Sequence, residues 1–227
     1  MQHSLFLLLS HPVRTAAKVN DVTQARQTMQ ALETARLLAK HRAFSQGAAG
    51  SIVRGLALEL LGDARDPAQL QQAWMSLDDS ERAMPELVVQ AAARLMALHG
   101  DPNMARGWLL AVWDQVMAPQ STLGDNLRIK LIGVLELGLD TLDAAWLARI
   151  ESAQLHRPRD ANLQYLAGMA CLNRQLWGKA QQLLSQAAPA LQDVALHRNA
   201  WRALALLAEQ LEDDAAAAQA YKRAAQP

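Results

Sequence analysis

The side chains able to do chemistry are few and widely spread. Histidines stand at 3, 11, 41, 99, 156 and 197, with no His-x-x-x-His, Cys-x-x-Cys or carboxylate spacing between them that would build a metal site. The chain has one cysteine, Cys171. No disulfide can form within it, and a lone thiol on an apolar helix face reads as a small buried hydrophobe. The paired carboxylates Asp78-Asp79 and Asp213-Asp214 could in principle share a proton. Both pairs, however, stand at expected helix starts, where acidic side chains cap the helix and complement its dipole. Neither a nucleophile elbow, a P-loop nor a Gly-x-Gly-x-x-Gly turn is present, so no reaction and no cofactor is expected.

The elements that must carry these residues are helical. Ala, Leu and Gln crowd the 227 residues while strand-forming residues are scarce. Aromatics make up 4% of the chain and six of them are Trp, at 74, 108, 113, 146, 177 and 201, which read as packing residues. Lys plus Arg and Asp plus Glu each number 22, so net charge gives no case for nucleic acid or an acidic membrane surface. The longest apolar run, Leu5 to Leu9, is far short of the ~20 residues of a membrane span and lacks the basic flank of a signal peptide. The chain itself is therefore expected to be soluble.

Helix punctuation recurs at "LELLGD" ending at Asp63, "LMALHGD" at Asp101, "LELGLD" at Asp140 and "LAEQLEDD" at Asp214. Helices are predicted over 20–42, 46–61, 66–78, 84–99, 102–117, 123–138, 141–155, 161–175, 177–188, 195–211 and 214–225. Residues 1–19 are left unassigned and a longer loop is expected at 117–126. Small residues are spaced through this pattern. Gly168, Ala180 and Ala187 lie twelve and seven apart, as helix-crossing points would if a missing side chain lets two backbones approach to ~8 Å.

The last two hairpins resemble the tetratricopeptide pattern. Gly168, Cys171, Ala180, Leu184 and Ala187 fall at its alternating small and large positions, and Trp201, Leu204, Ala205, Ala217, Tyr221 and Ala224 do so again. Gln175 and Glu212 stand where that turn usually has Gly, and looser turns are expected there. A weaker copy uses Ala92, Ala93, Met96, Gly100, Ala105 and Leu109. Gly55 and Gly62 begin a fourth, displaced by "ARDP", and 122–155 matches in periodicity alone. The expectation is an all-α, tetratricopeptide-like superhelix of about ten to twelve helices in one domain, with degenerate hairpins over 20–157 and two clearer repeats over 161–225. In stacked hairpins the first helix of each pair lines the inner groove. The alignment assigns to that groove Gln90, Arg94, Asn162, Tyr165, Met169, Asn173, Arg202, Glu209 and Gln210.

"LQYLAGMACLNRQLWGKAQQLLSQA", with "LWGKAQ" at 176–181, resembles the end of the HemY-type proteins of proteobacteria. So do "LDTLDAAWLARIESAQLHRPRDANL", "AWMSLDDSERAMPELVVQAAARLMALHGD" and "LETARLLAKHRAFS" further upstream. The resemblance covers roughly 30–227. It implies the soluble portion of a longer inner-membrane protein encoded among porphyrin-synthesis genes, attached through an N-terminal segment that this chain lacks. It also implies a protein-interaction scaffold, with haem-biosynthesis enzymes among the candidate partners, and it transfers no catalytic residue. The alternative it raises is a carrier that holds haem or a porphyrin between helices, with His99, His156, Cys171 or Met169 as the iron ligand.

Overall fold

The computed structural model describes residues 22–37, 46–118 and 120–226, with side chains from Gly50 onward in the second stretch. His3, His11, His41, the Leu5 to Leu9 run and the outer ends of the first predicted helix lie outside the described residues. Among those described every regular element is a helix: α1 (22–37), α2 (Gln46–Gly62), α3 (Pro67–Ser76), α4 (Asp79–Arg82), α5 (Pro85–Ala97), α6 (Pro102–Met117), α7 (Asp125–Glu136), α8 (Ala144–His156), α9 (Ala161–Asn173), α10 (Trp177–Ala187), α11 (Val194–Gln210) and α12 (Asp214–Ala224). Short 3-10 turns at Leu139–Thr141 and Ala188–Ala190, and the one-turn α4, are additions to the expected set. The chain divides into two compact units, Met1–Gly100 and Asp101–Pro227, and the third repeat copy straddles their boundary.

Aspartates open these helices, though not always those that the punctuation suggested. Asp66, Asp101, Asp143, Asp160, Asp193 and Asp213 are N-caps whose carboxylates accept from backbone N–H groups of the first turn, at 2.7 to 3.3 Å. Asp63 and Asp140 lie three residues too early, because a turn intervenes before each helix begins. Asp78 caps α4, its N–H donating to Glu81 Oε2 at 2.9 Å. Both paired-carboxylate motifs are thus accounted for by helix starts.

In the first unit α5 packs against α2, α3 and α4. Leu61, Leu70, Leu87, Ala91 and Ala92 are wholly buried there, each large side chain contributing roughly 1.5–3 kcal/mol. Glu81, 2% exposed, is held in a two-pronged ion pair by Arg36, whose Nε donates to Oε1 at 2.8 Å and whose Nη2 donates to Oε2. These bonds, with the charge of Glu81 and Asp78, raise the Arg36 pKa further. Gly55 and Gly62 have open space where a Cβ would stand, so neither marks a close approach between described helices.

In the second unit the helices pair most clearly toward its C-terminal end. The closest packing is α9 on α10 and α11 on α12; α9 also touches α7, α8 and α11, and α10 touches α11. The small residues lie where helices meet. A Cβ on Gly168 would come within 2.8 Å of Leu184 Cγ and 3.3 Å of Leu183 Cβ, and Ala180, Ala187 and Ala200 are wholly buried. Cys171 is 1% exposed, and burial lifts its thiol pKa.

Three helix ends close identically. At His99, Gln175 and Glu212 the backbone is left-handed, with φ of 56°, 60° and 59°. In each, that residue's N–H reaches the carbonyl three back and the next N–H reaches the carbonyl five back, as in Gln175 to Leu172 and Leu176 to Cys171, both 2.9 Å. The turns at Gln175 and Glu212 are therefore tight despite lacking glycine. The main-chain bonds supply what the residue type does not.

A second device is arginine reaching a loop carbonyl some 30 to 40 residues away. Arg94 donates to Ala64 O through Nη2 at 2.6 Å, Arg157 to Met117 O at 2.9 Å and Arg174 to Leu142 O at 3.0 Å. Buried Arg106 spans Gly138 O (2.8 Å) and Thr141 O (2.7 Å). Helix ends and turns leave carbonyls without partners, and the planar guanidinium fork can hold two of them.

Candidate functional site

The polar residues that could meet a partner gather in the second unit on neighbouring helices α7, α9 and α11. Asn162 and Met169 of α9 are half-buried, Asn173 beyond them is exposed, and on α11 Arg202, Glu209 and Gln210 are exposed. Glu209 lies beside the Tyr221 hydroxyl of α12 and raises its pKa. Exposed leucines, Leu137 after α7 and Leu206 on α11, interrupt the polar residues.

Three of the sequence-assigned groove residues need particular comment. Tyr165 is a correction: it has no exposed surface, because its ring packs between α9 and its neighbours. Arg94 is spent on the Ala64 carbonyl. Gln90, which is exposed, and Arg94 both belong to the first unit, so they are described apart from the rest.

Tyr165 nonetheless marks a polar cluster. Its hydroxyl lies by the Glu136 carboxylate and the Asn199 amide without a well-formed hydrogen bond to either. Asn199 Nδ2 donates to Glu136 Oε1 at 3.2 Å, joining α11 to α7. Burial pushes the Glu136 carboxyl above the usual carboxylate range, against the opposing pull of Tyr165 and Asn199. Burial, and then the Glu136 charge, push the Tyr165 hydroxyl well up. Glu136 ends α7, where carbonyl dipoles disfavour an anion, and no basic residue stands in that last turn. A carboxylate closing "LIGVLE" was the sequence signal for this cluster, which the repeat alignment passed over.

A separate open cleft of about 500 Å³ lies between α6 and α8. Trp113 and Met117 form one wall, alanines of α8 the other, and Arg149, His156 and Arg157 bring positive or neutral donors and no carboxylate. His156 Nδ1 donates to the Ser152 carbonyl at 2.7 Å, which leaves Nε2 as the unprotonated nitrogen of the neutral ring. Trp113 is braced edge-on by Trp146, ring centroids 5.7 Å apart. Trp201 is fixed by donating to His197 Nε2 at 3.0 Å and by the Arg223 guanidinium 4.5 Å over its ring.

Among the described residues no three His, Cys, Asp or Glu side chains come together as a metal site would require, and no helix is long and apolar enough to cross a membrane. Comparison with family profiles, with curated proteins and with solved structures returned no match.

Proposed function

We propose that the chain is a non-enzymatic protein-interaction scaffold with a tetratricopeptide-like build, its second unit presenting a groove along α7, α9 and α11. The observation that carries this reading is the neighbour pattern. Each of α9 and α11 is backed by its own second helix and flanked by another first helix, while polar side chains on the remaining side stay uncovered. A surface braced in this way needs little reordering to receive an extended or helical segment. The HemY-like stretches, "LWGKAQ" above all, support a role beside late porphyrin or haem synthesis, in the soluble portion of an inner-membrane protein. No reaction is assigned.

Replacing Asn173 and Arg202 together by Glu should abolish capture of a haem-synthesis enzyme in a crosslinking pull-down. The melting temperature should hardly move, since exposed changes seldom exceed ~0.5 kcal/mol. Capture that persists removes the groove.

The α6–α8 cleft favours a second reading, a tetrapyrrole carrier. His156 lines it with Nε2 available, and its walls are apolar. Of the other candidate ligands, Cys171 is buried among core residues and His99 occupies a left-handed helix end. A saturable Soret shift with hemin, lost in His156→Ala, would favour this reading over the scaffold; no shift would remove it.

A further inference from the structure

We infer that the α7–α9–α11 face takes a lysine side chain of a protein partner, its ammonium seated against the Glu136 carboxylate and the Asn199 amide oxygen, with buried Tyr165 behind them. The inference rests on the scaffold reading and adds the partner's chemistry. The first argument is an imbalance of donors and acceptors. Glu136 receives one well-formed hydrogen bond, from Asn199 Nδ2, and the Tyr165 hydroxyl, which can donate as well as accept, has no well-formed partner among the described residues. Even with the Tyr165 O–H turned toward it, a carboxylate of about four lone-pair sites keeps free acceptor capacity, and an ammonium is a compact group with three donors and no acceptor.

Electrostatics points the same way. Glu136 is partly buried at the C-terminal end of α7, where the helix dipole adds negative potential, and it forms no ion pair among the described residues. Asp193, cap of α11, adds a second negative charge felt at Tyr165. The nearby cations are otherwise engaged or solvated: Arg106 is committed to the Gly138 and Thr141 carbonyls, and Arg198 and Arg202 are exposed and make no ion pair with Glu136. A half-buried carboxylate without a cation is costly, and an arriving ammonium relieves that cost through a charge-assisted hydrogen bond. Tyr165 is wholly buried whereas Glu136 and Asn199 keep some exposure, so a partner meets the carboxylate and the amide first. Exposed Leu137, next in the chain, offers an apolar rest for the methylene stem of the lysine.

Two probes test this. Butylammonium, with butanol as the neutral control, is titrated into the full chain while the Asn199 side-chain amide is followed by NMR. A saturable shift with the ammonium alone is expected, weakened at least about tenfold in Glu136→Gln, whose amide keeps an oxygen for Asn199. An equal response to both probes, or one that survives the substitution, overturns the proposal. Phage-displayed random peptides are then selected on the wild-type chain and on Glu136→Gln, with a circular-dichroism melt to show that both are folded. Enrichment of Lys at one fixed position on wild type alone supports the proposal. Peptides without a fixed Lys, or the same peptides on both chains, overturn the lysine site and leave the scaffold standing. A butylammonium response with no enriched peptide overturns the partner, and the scaffold with it.

Discussion

Single residues carry two of the least expected features. Gln175 and Glu212 adopt the left-handed backbone that the repeat pattern reserves for glycine, at a cost of about 1–2 kcal/mol for a residue with a Cβ. Glu212→Gly should therefore stabilise the chain by about 0.5–1 kcal/mol, part of the relief being offset by the freer unfolded chain; chemical denaturation measures it. Glu136 makes a pH prediction. Its folded pKa is raised by burial, so the folded state holds the proton more tightly than the unfolded chain does. That contribution is present below the unfolded pKa and is lost as pH rises through the folded one. Glu136→Gln should flatten stability against pH from the ordinary carboxylate range upward, and the variant should gain most at neutral pH; denaturant midpoints across about pH 4–7 check this. The missing glycines were legible in the sequence, but the tightness of the turns was not, because the bonds that close them belong to the main chain. Tyr165 shows the converse failure: helical spacing placed it toward a groove, whereas the packing of α7, α10 and α11 on α9 leaves it with no exposed surface.

At the scale of elements the sequence was most informative, since most of the main helices were announced by an Asp start, α5, α7 and α10 being the exceptions with Met84, Gly124 and Leu176 at the cap, and the crossing at Gly168 was visible in its spacing. Gly168→Ala should destabilise the chain. Overpacking against Leu184 and Leu183 costs ~1–3 kcal/mol and outweighs the ~1 kcal/mol that alanine gains in a helix. The arginine links between segments were illegible, because nothing local to Arg94, Arg106 or Arg174 announces a carbonyl 30 or more residues away. Arg106→Met tests one. It strands the Gly138 and Thr141 carbonyls and should cost about 3 kcal/mol, read as a lowered denaturant midpoint with unchanged slope. Gly55 marks the limit of such spacing: small size shows that a backbone could approach, not that one does.

For the whole molecule, composition decides more than contacts do. Equal numbers of acidic and basic side chains and a sequence pI of about 7.0 leave little charge to keep copies apart at neutral pH. Solubility should pass through a minimum near pH 7 and rise on either side, as turbidity against pH would show; a flat profile would mean that the surface charge is not balanced as the sequence counts it. The division into two compact units was not legible, since no Gly/Ser-rich or charged linker marks residue 100.

The recurring left-handed corner has a bearing on how such helix ends can be recognised. His, Gln and Glu occupy an equivalent corner at 99, 175 and 212, so closing a helix in this way does not depend on one residue type. A corner closed by main-chain bonds leaves no fixed letter behind, so the same corner in another chain would have to be sought in backbone geometry instead of residue identity.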